Sequence, residues 1–255
     1  MNRASDAALA TALAERAGTA LLELRRTTTL TGAALKDEGD RVAQAILGEA
    51  LAVERPDDAV LSEEAADDPR RLRAERVWII DPLDGTREFS EGRADFAVHV
   101  ALWERHHGLT VGAVALPGAG RTLTTADPPS LPAPRRGDRL RLAVSRSRPP
   151  ALVTLLAAAL DAELVPMGSA GVKAMSVLLG DTDAYIHGGG QYEWDSAAPV
   201  AVASAAGLHT SRLDGRPLEY NREDPWSPDL VVCRPDDAGR LLDAIAETSA
   251  TEGAA

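Results

Sequence analysis

The chain has a single cysteine, Cys233, in 255 residues, so no intrachain disulfide can form. Cys233 ends the apolar run Leu230-Val231-Val232, where a thiol reads as a small buried hydrophobe and not as a nucleophile. Long apolar runs are missing as well: none approaches the roughly 18 residues of a membrane helix. Met1-Asn2-Arg3 leads straight into an Ala-rich amphipathic pattern with no secretory h-region. These absences predict a cytoplasmic protein with no membrane partner. Positive charge is also scarce, 27 Lys and Arg against 39 Asp and Glu, a net charge of −12. That balance argues against nucleic-acid polymers, which call for a basic face. It also sets a condition on any phosphate-bearing ligand. Something local must reverse the sign, and divalent metal on clustered carboxylates does so.

What is present is an acidic motif. Asp81-Pro82-Leu83-Asp84-Gly85-Thr86 follows Val77-Trp78-Ile79-Ile80, which reads as a fully buried strand. Two carboxylates therefore stand at a strand end, three residues apart, in a turn. Pro82 fixes its own φ, and Gly85 lets the backbone approach a ligand closely. Asp81, the carbonyl of Leu83 and Asp84 can then face one small volume, an all-oxygen donor set that suits Mg²⁺. The plain alternative is an ordinary turn, since Asp-Pro and Asp-Gly are common turn dipeptides. Two further acidic positions fit the same site. Glu63 ends the short strand Ala59-Val60-Leu61, and a parallel pairing would bring it to the same sheet edge as Asp81. Asp195 opens the Ala-rich helix 196–206, where a helix cap is the simpler role. Among the histidines, His99 reads as an alternating strand residue and His106 and His107 as turn residues, so none is expected to ligate metal.

Helical spacing of Leu9, Leu13, Ala17, Leu21 and Leu24 predicts a first helix capped by Ser5 or Asp6. Val42, Ile46, Ala50 and Val53 predict a second, with Asp40 at its N-cap. Phe96, Val98, Val100 and Leu102 share one face of a strand, followed by returning strands over 109–116 and 121–125. Residues 127–138, with prolines at 128, 129, 132 and 134, read as a linker or exposed loop. Beyond it strand and helix alternate, with strands at 140–144, 163–166, 184–187 and 229–233. Helices are expected at 150–160, 171–179, 196–206 and around 241–245, with a frayed tail from 249. The fold class is thus an α+β N-terminal region, 1–134, carrying the metal site, and an α/β C-terminal region, 135–255, carrying substrate contacts.

The order Glu63-Glu64, Asp81 to Thr86, then Trp194-Asp195-Ser196-Ala197-Ala198 resembles the magnesium-dependent, lithium-sensitive inositol monophosphatase superfamily. Within it the chain looks most like the CysQ-type 3′(2′),5′-bisphosphate nucleotidases, over residues 8–245. The resemblance implies a layered αβαβα sugar-phosphatase fold with the active site between the two regions. It also implies two Mg²⁺ ions held by Glu63, Asp81, Leu83 through its carbonyl, Asp84 and Asp195. Glu63 and Thr86 would orient the attacking water, and Asp40 would pair with Thr86. Lys36-Asp37-Glu38-Gly39 departs from the family's usual Ser/Thr-Pro-Val-Thr-like stretch, which suggests a shortened metal-holding loop and leaves a third metal open.

For the substrate, Arg87-Glu88-Phe89 is like the Lys/Arg-Glu-Phe of bisphosphate nucleotidases. Gly188 stands where inositol phosphatases place a sugar-binding glutamate. Gly85, Thr86, Arg87, Ser145, Arg146, Ser169 and Lys173 are the expected substrate contacts, the backbone N–H groups of Gly85 and Thr86 for phosphate and Lys173 for the second phosphate. The implied reaction removes the 3′-phosphate of adenosine 3′,5′-bisphosphate, with 3′-phosphoadenylyl sulfate as a further substrate. The partner is thus a small nucleotide bisphosphate, and the chain a monomer or homodimer. The alternatives are an inositol 1-phosphate or fructose 1,6-bisphosphate phosphatase, or a non-catalytic phosphometabolite sensor.

Overall fold

A computed structural model describes residues 5–133 and 139–252 of the chain, without the side chains of the last three. Helix α1 (Asp6–Thr27) starts as expected, the Ser5 hydroxyl accepting a hydrogen bond from the N–H of Ala8 at 3.2 Å. Helix α2 (Gly32–Glu54) starts well before the predicted position. Asp40 therefore lies in mid-helix and is no N-cap, and Lys36 to Gly39 are helical, not a loop. Both helices press their apolar stripes onto one face of a five-stranded sheet.

That sheet is built from β1 (Ala59–Ser62), β2 (Arg76–Asp84), β3 (Ala97–Glu104), β4 (Gly108–Leu116) and β5 (Arg121–Thr124), in that order. β1 runs parallel to β2, and the others pair antiparallel. Period-2 alternation splits β2 between two layers. Trp78 and Ile80 pack under α1 and α2, while Val77 and Ile79 face the opposite side. Phe96, Val98, Val100 and Leu102 share the α1/α2 side, as the alternation predicts.

The second sheet comprises β6 (Arg141–Ser145), β7 (Glu163–Met167), β8 (Ala184–Tyr192), β9 (His209–Ser211) and β10 (Trp226–Cys233), ordered β7-β6-β8-β10-β9. β7, β6 and β8 are parallel, and β10 and β9 add antiparallel strands. β9 was not anticipated, and β8 and β10 are each longer than expected. Between the sheets lie α5 (Ala170–Leu179) and α6 (Glu193–Ala205), whose buried faces join both. On the outer face lie α4 (Ala151–Leu160) and α7 (Pro235–Glu252), so the 249 tail continues as helix. The short helix α3 (Thr86–Ser90) follows β2. The result is the layered αβαβα arrangement: α1/α2, sheet, α5/α6, sheet, α4/α7. Residues 125–133 have no helix or strand, and the predicted boundary between 134 and 135 lies outside the described residues. Cys233 is buried beside α7, its thiol pushed up to about 12 by burial, which fits a core residue. Among the described residues, no helix is long and apolar enough to cross a membrane.

Candidate active site

The Asp81–Thr86 segment is a bulged strand end rather than a free turn, because β2 keeps pairing with β3 through Asp84. The register shifts between Asp81 and Asp84, where β2 has one residue more than β3, and the bulge re-aims the side chains beside it. The Asp81 carboxylate accepts from the N–H of Leu83 at 3.0 Å, and the Thr86 hydroxyl donates to the carbonyl of Leu83 at 3.2 Å. Thr86 thus bonds Leu83 rather than Asp40. Gly85, at φ +89°, makes the left-handed step into α3.

Helix α6 brings the third carboxylate. Asp195 is not the cap itself: Tyr192 holds that position, and the carboxylate of Asp195, the third residue of the helix, accepts its N–H at 2.6 Å. Pro199 sits within α6 and cannot donate to the Asp195 carbonyl one turn earlier. Carboxylate oxygens of Asp81, Asp84 and Asp195 lie within 4.8 Å of one another. Glu63, just past β1, and both Asp84 and Asp195 line one cleft of about 650 Å³ between the sheets.

Crowding shows in the acidities. Burial, then the charges of Asp195 and Asp84, pushes Glu63 up to about 8. Burial and Asp84 push Asp195 up to about 7, and burial followed by Asp84 and Glu63 raises Asp81 well above the carboxylate range. Asp40 is pushed up to about 7 by burial, then by Glu64 and Asp37. Like charges crowded in this way, buried at Asp81 and Asp84, half-buried at Asp195 and Asp40 and with Glu63 at the solvent-facing rim, make a receptor for a cation.

The second half of the chain supplies donors to Asp84. The Ser169 hydroxyl (2.5 Å) and the N–H of Gly171 (2.6 Å) reach one oxygen, and the N–H of Ala170 (3.0 Å) reaches the other. Ser169 is therefore bound to a site carboxylate. It caps α5 by accepting from the N–H of Val172, at a strained φ of +54°. One turn into α5, Lys173 is only 6% exposed and lines the cleft. Its ammonium lies 5.2 Å from the Tyr185 ring, and burial pulls its pKa down against the opposing pull of Asp84 and Asp195.

Two expected substrate residues are elsewhere. Arg87 is exposed and paired with Glu91 one turn on. Arg146 is held by Asp95 at 2.5 Å and Glu88 at 3.4 Å. The basic residue of that segment on the cleft wall is Arg148, beside Ser145. Sequence could not rank Arg146 against Arg148, since the Arg146 partners Glu88 and Asp95 are some 50 residues away. His99 is a further residue of the site that sequence reading passed over. Fully buried opposite Asp81 in β3, it donates from Nδ1 to the Trp194 carbonyl at 3.1 Å and sets Nε2 3.3 Å from Asp84. The signal was there: alternation puts His99 on the face of β3 away from Val98 and Val100.

The inositol monophosphatase family matches residues 2–251. A 3′-phosphoadenosine 5′-phosphate phosphatase of Mycobacterium leprae is 53% identical over 255 residues, covering 95% of this chain and 94% of its own. The 3′(2′),5′-bisphosphate nucleotidase CysQ of Escherichia coli is 33% identical, covering 76% of this chain and 82% of its own. In structure, CysQ of Bacteroides thetaiotaomicron superposes with a TM-score of 0.70 at 25% identity, covering 89% of this chain and 96% of that one. An IMPase of Thermotoga maritima gives 0.77 at 19% identity, covering 94% and 96%, a likeness of fold.

Proposed function

The chain belongs to the inositol monophosphatase family, and on that premise we propose that it hydrolyses the 3′-phosphate of adenosine 3′,5′-bisphosphate to give AMP and phosphate. The observation that carries this reading is the meeting of Asp81, Asp84 and Asp195 in one cleft with Glu63 and Lys173. Two buried carboxylates and a half-buried one, offering only oxygen, fit Mg²⁺, which is commonly held by carboxylates together with substrate phosphate. Asp81, Asp84, Asp195, Glu63 and the carbonyl of Leu83 are the proposed ligands, for two ions. When bound, Mg²⁺ supplies charge compensation for the phosphate and lowers the pKa of an attacking water.

The chain's own residues do the rest. Glu63 and Thr86 orient the water for in-line attack on the 3′-phosphorus. Asp40, whose charge is felt at Glu63, supports the group by keeping Glu63 a ready proton acceptor. The first-turn N–H groups at Gly85 and Thr86 hold phosphate oxygens. Lys173, with Arg148 and Ser145 along the same wall, meets the 5′-phosphate, where a buried ammonium counts for more than a solvated one. The work divides between residues 1–134, which supply most of the metal ligands, and 135–255, which supply Asp195 and the cations. A phosphate-release panel tests the reading, comparing adenosine 3′,5′-bisphosphate, inositol 1-phosphate and fructose 1,6-bisphosphate with Mg²⁺ and with EDTA. The expected result is Mg²⁺-dependent release with the highest kcat/KM on the nucleotide. Preference for either sugar phosphate would overturn it, and no turnover of any ester would favour a sensor.

A further inference from the structure

We propose that Gln191 reads the base of the nucleotide, pairing its amide with the 6-amino group and adjacent ring nitrogen of adenine; this rests on the nucleotidase reading above. Gln191 lines the cleft and is 8% exposed, yet both its amide nitrogen and its amide oxygen are buried without a hydrogen-bond partner. No other buried side chain among the described residues leaves its whole polar end unpaired. Buried polar groups are nearly always satisfied, so an orphaned amide on a cleft wall points to a missing partner. An amide sets one donor beside one acceptor, and adenine offers the complement, an N–H donor beside a ring-nitrogen acceptor.

The surroundings suit a flat heterocycle. Tyr192 and Trp226, two of the five large hydrophobics left exposed among the described residues, face each other in register across β8 and β10 and both line the cleft. Tyr192 already stacks on Trp194, with centroids 4.7 Å apart and planes 11° apart. Trp226 lies over Gly190, where a Cβ would come within 2.5 Å of the indole nitrogen. At Gly189 a Cβ would meet nothing within 4 Å, so the wall there is open to a base. Exposed aromatic faces of this kind are stacking platforms for nucleobases. Gln191 stands four residues before Asp195, and so at most about 14 Å from it along the chain. One ligand can therefore meet both the carboxylates and the amide.

The test compares adenosine 3′,5′-bisphosphate with purine riboside 3′,5′-bisphosphate, which lacks only the 6-amino group. Wild type should favour the adenosine substrate by about tenfold in kcat/KM, mostly through KM. In Gln191→Leu that preference should fall below about twofold, because the adenosine substrate loses both amide bonds while the purine riboside substrate loses only the one to its ring nitrogen and so falls less in kcat/KM. If Gln191→Leu does not fold, Gln191→Asn makes the same test by withdrawing the amide one methylene. Preference retained in the variant, or equal loss on both substrates, would overturn the proposal. A wild type that turns over both substrates equally overturns this inference alone. One that turns over neither overturns the functional reading and this inference with it.

Discussion

Asp84 is a carboxylate with three donors already aimed at it, the Ser169 hydroxyl and the N–H groups of Ala170 and Gly171. An Asn in its place has only one acceptor oxygen. Turned to keep the two short bonds, its amide nitrogen would face the N–H of Ala170, a donor against a donor, at a cost of about 1–3 kcal/mol. Asp84→Asn is therefore expected to lower stability modestly while cutting turnover by about 10²-fold or more, through loss of a charged ligand. Phosphate release and a thermal melt on the same sample check both parts. Wild-type activity would remove Asp84 from the metal shell. Asp84 was readable from sequence because its motif is local. The arginines were not, because Arg146 is claimed by Asp95 and Glu88 through contacts that only the tertiary fold creates.

At the scale of elements, α5 joins the two sheets through its first turn. Ser169 both caps that turn and holds Asp84, so the hydroxyl serves helix and site together. Ser169→Ala should cost about 0.5–2 kcal/mol as a lost cap, a fall in Tm of roughly 1–8 °C for a chain of this size. Metal affinity should fall by about 10–100-fold as Asp84 loses a positioning bond. Ser169→Gly should be milder in Tm, because glycine relieves the φ of +54° and remains a fair cap, but equally weak for metal. Equal melting of wild type and the alanine variant would show that the cap contributes nothing. Most elements were legible from apolar period, including both faces of β2 and β3. The start of α2 was not, because Leu35 is its one buried apolar residue before Gly39. Lys36, Asp37 and Glu38 hide the helix in a run that reads equally well as loop. The β2 end was misread as a turn for a related reason: Asp-Pro and Asp-Gly signal turns locally, and only pairing with His99 and Ala97 of β3 reveals the bulge.

At the scale of the molecule, carboxylates gathered from the first sheet, α2 and α6 make stability, proton binding and cation binding one linked quantity. In the unfolded chain these groups release their protons near pH 4, whereas Asp40 and Asp195 hold theirs to about 7 and Glu63 to about 8. The folded state thus binds more protons across that interval. Stability fully present below the unfolded pKa is lost as pH rises through these folded values. Asp6, Asp95 and Asp229 have lowered pKa values, and their contribution is lost only on the acid side. His99 and His187, kept neutral by burial, act oppositely below about 6.5, the unfolded histidine pKa, so the clean window lies above it. In EDTA, Tm is expected to fall between pH 6.5 and 8.5. Mg²⁺ replaces the protons as counter-charge, so its stabilising shift should be larger at pH 8.5 than at pH 6.5. Glu193, raised to about 7 by burial but bonded to the N–H groups of Asn221 and Arg222, faces away from this cluster in its partners and supplies a pH slope that Mg²⁺ leaves in place. Melts across this range with and without Mg²⁺ separate the two contributions. A Mg²⁺ shift of constant size would mean that cation and protons do not compete for the same oxygens, and the carboxylates of the first sheet and α6 would then not form one binding site.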